Sequence, residues 1–128
     1  MVIDTSAVVA ILRSEPEAAR LKRALVADPV RFVPASCALE ARMVLVSRRG
    51  EHTLAEIDLW LRKIEADITP VNAELVDLAT QAWLTYGKGR YPAALNFADC
   101  VSYALPKRAD EALLFIGKDF SQTEIKAA

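Results

Sequence analysis

Histidine, cysteine and glycine are scarce in this 128-residue chain, with one, two and four residues respectively. A single histidine rules out hydrolytic schemes built on paired imidazoles. A Ser-His-Asp triad would have to use His52, which stands in Arg49-Gly50-Glu51-His52-Thr53, text that reads as an exposed turn ahead of a helix. Hydrolytic chemistry would therefore run mainly on carboxylates. Cys37 and Cys100 lie in apolar helical text without the spacing of a zinc site or a disulfide framework. Long hydrophobic runs are also missing: the longest, residues 7–12, is six residues, against the roughly 20 a membrane helix needs. The N-terminus, Met1-Val2-Ile3-Asp4, places an acid where a secretory signal has a basic flank. The length allows one domain, spanning residues 1–128. A soluble, cytoplasmic, single-domain protein without a membrane partner is expected.

A large charge excess is absent as well, with 16 Lys+Arg against 17 Asp+Glu. The charge is nevertheless sorted along the chain. Residues 13–49 hold eight cations and four acids, residues 86–108 four and one, and residues 51–77 two and seven. Amphipathic helices and a basic groove for a polyanion both accommodate such sorting.

Four short apolar segments, residues 1–3, 31–33, 67–71 and 112–116, read as buried strands. Helical patterns lie between them. Ser14 with Glu17, and Thr53 with Glu56, have the spacing of capping boxes. Asn72 can cap a helix that Gly87 ends, and Ser36 can cap one that runs to about Arg48. A last helix covers about residues 93–105 and stops at Pro106. Strands alternating with helices predict an α/β fold: a central parallel sheet of four to five strands with helices on both faces. Trp60 and Trp83 recur at core-facing helical spacing and are expected to pack.

In such sheets ligands bind beyond the carboxyl ends of the strands. Asp4 follows the first strand, Glu40 lies early in the helix after the second, and Asp119 follows the fourth. Asp99 interrupts a helix that is otherwise nearly apolar, where a carboxylate is costly unless compensated. Asn96, one turn earlier, can orient it. Each acid alone has a bland explanation: Asp4 as a helix cap, Asp119 as a turn residue, Glu40 as a first-turn acid or half of an ion pair. If the four converge, repulsion must raise their pKa values or recruit a cation. Oxygen ligands without His or Cys suit Mg2+ or Mn2+, and such sites serve metal-assisted phosphodiester hydrolysis.

Several motifs together resemble the PIN-domain family, and within it the VapC-type ribonuclease toxins of VapBC toxin–antitoxin pairs. They are Met-Val-Ile-Asp-Thr-Ser-Ala at 1–7, Ala-Leu-Glu-Ala at 38–41, Tyr-Gly-Lys-Gly-Arg-Tyr-Pro-Ala-Ala-Leu-Asn-Phe-Ala-Asp-Cys at 86–100, and Leu-Leu-Phe-Ile-Gly-Lys-Asp-Phe-Ser-Gln-Thr at 113–123. The resemblance implies a PIN-like fold and an acidic quartet of Asp4, Glu40, Asp99 and Asp119 around Mg2+ or Mn2+. Thr5, Ser6 and Asn96 would support those carboxylates through hydrogen bonds. The implied activity is endonucleolytic RNA cleavage by metal-activated water, inhibiting translation and growth. The implied partners are an RNA substrate and a VapB-type antitoxin. A homodimer is also implied, as are larger complexes that reach operator DNA only through the antitoxin.

The pattern has departures. Lys118 stands where relatives often have another acid, and Tyr91 where they often have His. The chain stops soon after Thr123, so a final edge strand is expected to be short or absent. Lys88 and Arg90, in a glycine-flanked loop without Walker A spacing, join Lys118 as candidate RNA contacts. The alternative reading is a PIN-like interaction module for protein or RNA that has lost its chemistry. A haloacid-dehalogenase-like phosphatase would need an acid where Ser6 stands. A phospho-acceptor receiver would need one near residues 70–72.

Overall fold

Four short apolar segments form one all-parallel sheet in the computed structural model, which describes residues 1–90 and 92–128. Tyr91 and the departure noted there lie outside the described residues. The strands are β1 (Val2–Ile3), β2 (Phe32–Pro34), β3 (Asp67–Thr69) and β4 (Leu113–Leu114), in the order β3-β2-β1-β4. Six helices connect and cover them: α1 (Thr5–Leu12), α2 (Ala18–Ala27), α3 (Ala35–Arg49), α4 (Thr53–Lys63), α5 (Ala73–Tyr86) and α6 (Phe97–Ala109). Among the described residues no helix is long and apolar enough to cross a membrane.

Side chains alternate across the sheet. Ile3, Val33 and Leu114 enter a core with α1, α2, α3 and α4, while Val2 and Leu113 enter a second core with α5 and α6. Each fully buried aliphatic side chain contributes roughly 1.5–3 kcal/mol over an exposed one. Burial on both faces therefore fixes the register of β1 and β4, each two residues long. β3, at the sheet edge, is not the buried strand expected, since Asp67 and Ile68 are exposed and only Thr69 is buried. Val2 pairs with Phe32 on one side and Leu113 on the other. The chain thus reaches β1 from both directions, and the crevice where strand order reverses opens at the carboxyl ends of β1 and β4.

Several sequence expectations need correction. Ser14 does not cap α2. It takes a left-handed conformation (φ 53°) after α1, and Glu15 N–H donates back to Ala10 C=O, so it ends the preceding helix in a Schellman-type turn. Thr53 is the first residue of α4 rather than its cap; its hydroxyl donates to Gly50 C=O at 2.8 Å, and Glu56 is drawn to Arg49 at 3.1 Å instead. Ser36 lies inside α3 with its hydroxyl buried and without a described partner. β3 ends at Thr69, because Pro70 has no N–H for the ladder. The last helix begins at Phe97 and carries Pro106 in its final turn, ending only at Asp110. A proline so near the C-terminus removes a single backbone bond and does not stop the helix.

Asn72 and Gly87 act as read. The Asn72 side chain accepts from Leu75 N–H at 3.1 Å. At Gly87 an added Cβ would stand 2.4 Å from the Trp83 carbonyl, so only glycine fits that helix end. Residues 126–128 run beside β4 as an isolated bridge instead of a full edge strand. Trp60 is partly buried against the larger core. Trp83 is not a packing residue: it is 44% exposed, with the Arg90 guanidinium 4.2 Å above its ring.

A candidate acidic active site

The end of β1 runs directly into α1 through Asp4, which is buried and caps the helix. Its Oδ2 accepts from Ser6 N–H (2.9 Å) and the Ser6 hydroxyl (2.6 Å), and its Oδ1 from the Ser102 hydroxyl of α6 (2.6 Å). Ser6 Oγ accepts in turn from Ile116 N–H at 3.0 Å, which ties the chain after β4 to the same carboxylate. Glu40, in the second turn of α3, accepts from the Thr5 hydroxyl at 2.6 Å. Asn96 and Asp99 form a reciprocal capping box at the start of α6: Asn96 Oδ1 accepts from Asp99 N–H and Asp99 Oδ2 from Asn96 N–H. Asp99 is therefore an N-terminal acid of its helix, half-buried, and not a mid-helix charge.

These elements meet around one cavity of about 400 Å³, whose walls include Asp4, Thr5, Ser6, Glu40, Asp99 and Asp119. Asp119 is the exposed member, at the lip. No lysine or arginine is ion-paired with any of the four acids among the described residues. Arg42, two residues from Glu40 on α3, reaches Asp58 at 2.6 Å. Burial pushes the Asp99 carboxyl up to about 6 against the pull of the Asn96 N–H, and the charges of Asp4, Asp119 and Glu40 push the same way. Asp99 thus feels the other three carboxylates, yet among the described residues no three of these groups are clustered tightly enough to hold a metal ion as they stand. They ring a cavity instead of clasping a point.

Three contributors were not picked out from the sequence. Ser102 is fully buried and links Asp4 to Cys37, whose Sγ lies 3.0 Å from its oxygen. A carboxylate only accepts, so the Ser102 proton points at Asp4 and the Cys37 S–H donates to Ser102. Burial, followed by the charge of Asp4, raises that thiol to about 11, which keeps it a donor. The signal was present: a hydroxyl in an apolar helix needs a partner. Glu15 and Arg48 also line the cavity. Lys88 and Arg90 do not; Lys88 belongs to a separate apolar cavity with Val76, Trp83 and Phe97. Lys118 is exposed beside Asp119, and His52 is exposed at the turn before α4.

The PIN domain family model matches residues 1–126. The chain belongs to the PIN domain family. Within that family it is 46% identical over 125 residues to Ribonuclease VapC30 of Mycobacterium tuberculosis, covering 98% of this chain and 95% of that protein. It is 46% identical over 127 residues to Ribonuclease VapC of Mycolicibacterium smegmatis, with 99% and 98% coverage. Among solved structures it resembles VapC20 of Mycobacterium tuberculosis, described as a Sarcin-Ricin loop cleaving toxin. The TM-score is 0.81 at 19% identity, over 99% of this chain and 97% of that one. At that identity the likeness concerns the PIN fold alone.

Proposed function

We propose that the acidic cavity is the active site of a divalent-metal-dependent endoribonuclease, the toxin of a VapBC-type pair. One observation carries the reading. Asp4, Glu40, Asp99 and Asp119 come from separate parts of the chain to a single cavity, and no cation of the chain is paired with them among the described residues.

The donor set fits Mg2+ or Mn2+: it is all oxygen, with neither His nor Cys on the cavity wall. Mg2+ keeps several waters and needs only one or two carboxylates, so an open ring of acids is compatible with it. Asp4 and Asp99 would hold it, with Glu40 and Asp119 completing the ring. When bound, such an ion polarises a phosphate oxygen and lowers the pKa of a water.

The chain's own groups leave acceptor sites available on Asp4, Glu40 and Asp99. A carboxylate has about four acceptor sites, and Asp4 uses three of them, leaving one on Oδ1. Glu40 is engaged through Oε2 by Thr5, and Asp99 through Oδ2 by Asn96. Their other oxygens have no described hydrogen-bond donor and are oriented by the engaged ones. Lys118, next to Asp119, is the nearest along the chain of the three expected RNA-binding cations and meets substrate phosphate at the lip. Lys88 and Arg90, which do not line the acidic cavity, would meet the RNA farther out.

A VapB-type antitoxin would silence such a site by covering the cavity and adding the missing positive charge. A homodimer, and a larger antitoxin complex that reaches operator DNA through the antitoxin, complete the reading. The test is incubation of the purified chain with total RNA and sequencing of the new ends. Cleavage that requires Mg2+ or Mn2+, stops with EDTA and is lost in Asp99→Asn is expected. RNA or antitoxin binding without cleavage, at saturating metal, would replace the enzyme with an interaction module.

A further inference from the structure

A basic shelf adjoins the acidic cavity. Arg13 at the end of α1, and Arg48 and Arg49 in the last turn of α3, line a cavity of about 350 Å³ with Leu12 and Ser14. Among the described residues Arg48 alone lines both this cavity and the acidic one. The other two arginines are already engaged. Arg13 pairs with Glu15, and Arg49 with Glu56 at 3.1 Å while also donating to Leu12 C=O. Arg48 is exposed and forms no ion pair among the described residues.

Its place on α3 follows from helix geometry. Glu40, Val44 and Arg48 are spaced i, i+4, i+8, and all three line the acidic cavity. Eight residues at 1.5 Å each put Arg48 roughly 12 Å along the axis from Glu40. Long helical side chains tend to lean toward the helix N-terminus, which for Arg48 is the direction of Glu40 and the acidic cavity it lines. An arginine that merely neutralised those acids would be paired with one of them, and none is within ion-pair distance. The planar fork of a guanidinium matches phosphate oxygens.

We infer that Arg48 binds a backbone phosphate of the RNA, the one flanking the phosphodiester presented to the acids. The basic shelf is then a continuation of the substrate track, leaving the acidic cavity along α3. This rests on the ribonuclease reading of the cavity and adds the path the strand takes away from it.

The test measures binding of a short unpaired oligoribonucleotide by fluorescence anisotropy in an Asp99→Asn background, with and without Arg48→Ala. Salt is varied between about 50 and 200 mM KCl. Arg48→Ala is expected to weaken binding about tenfold and to lower the log–log salt slope by about 0.7, the value for one single-strand phosphate contact. Arg48→Lys keeps the charge without the fork and should fall between. Lys22→Ala, an exposed cation of α2 outside both cavities, should change either quantity little. Unchanged affinity and slope in Arg48→Ala would overturn the assignment, as would an equal loss in Lys22→Ala. Tighter Mn2+ binding by Arg48→Ala in the chain that keeps Asp99, with RNA affinity unaltered, would also overturn it, leaving Arg48 as a mere neutraliser of the acids. A parent chain that neither binds nor cuts RNA removes the ribonuclease reading and Arg48's role together. Loss of the Arg48 effect alone leaves that reading standing.

Discussion

Near the C-terminus, Glu124 accepts hydrogen bonds from the Tyr86 and Tyr103 hydroxyls, each 2.5 Å, and pairs with Lys107 at 3.1 Å. The two phenols, Tyr103 foremost, hold its carboxyl down to about 2. At the carboxyl ends of β1 and β4 the opposite holds. Asp99 shares a cavity wall with Asp4, Glu15, Glu40 and Asp119, receives one backbone N–H, and is pushed up to about 6, by burial first. Both are carboxylates of the same small domain. In one cluster the chain supplies donors and a cation for a carboxylate at its surface; in the other it brings carboxylates to one cavity and pairs none of them with a lysine or arginine among the described residues. Structural acids resemble the first, and ligand-binding acids the second.

The sharpest way to break that contrast is to neutralise one acid from each cluster. Asp99→Asn should lower RNA cleavage by at least about a hundredfold, the scale of losing one group that stabilises transition-state charge. Glu124→Gln should leave cleavage near wild type and lower the melting temperature instead. Parallel rate and melting measurements on the two variants decide it; loss of cleavage in Glu124→Gln with the fold intact would erase the distinction.

The acidic half of this contrast was legible in the sequence, for identifiable reasons, whereas the Glu124 cluster was not picked out. Strand-ending positions and an acid in apolar text mark Asp4, Glu40, Asp99 and Asp119 before any coordinates, because burial of charge is costly wherever it occurs. Asn72 and Gly87 are equally readable, since their roles are local. What failed depended on contacts the spacing cannot see. Ser14 and Thr53 have capping-box partners at the right interval, yet Ser14 ends the helix before it and Thr53 bonds Gly50. Trp83 sits at core-facing spacing but lies on a surface with Arg90 over it. Ser102 and Arg48 act across 98 residues and across two cavities respectively, which no local pattern encodes.

A smaller effect separates orientation from charge. Ser102→Ala keeps all four acids but removes the donor to Asp4 Oδ1, and should weaken Mn2+ binding roughly tenfold, the lower end for losing an outer hydrogen bond to a metal ligand. Cys37→Ala, one bond farther out, should weaken it less. Isothermal titration of Mn2+ into each folded variant reads this directly. A lowered melting temperature with unchanged Mn2+ affinity would make Ser102 a core residue only.

The smallest expected effect is on the pH dependence of stability without metal, where the two clusters have opposite signs. The hydrogen bonds from Tyr103 and Tyr86 hold Glu124 down to about 2 in the folded chain, against an ordinary 4.5. Its contribution is complete above about 4.5 and is lost as pH falls toward 2. Asp99 titrates near 6 against 3.8. The folded chain thus binds the extra proton between these values, and stability falls as pH rises from about 4 to 6. Denaturant melts across that range should show Asp99→Asn flattening the upper slope and Glu124→Gln the lower one. Both slopes surviving in both variants would deny these carboxylates their assigned environments.

The central claim is that the acidic cavity is incomplete without a dication, and thermal unfolding of the metal-free chain at increasing Mg2+ tests it most directly. An ion that binds only the folded state raises its stability by mass action. The wild-type melting temperature should climb steadily through the millimolar range while that of Asp99→Asn stays nearly flat. Equal shifts in the two proteins, or none in either, would contradict the account.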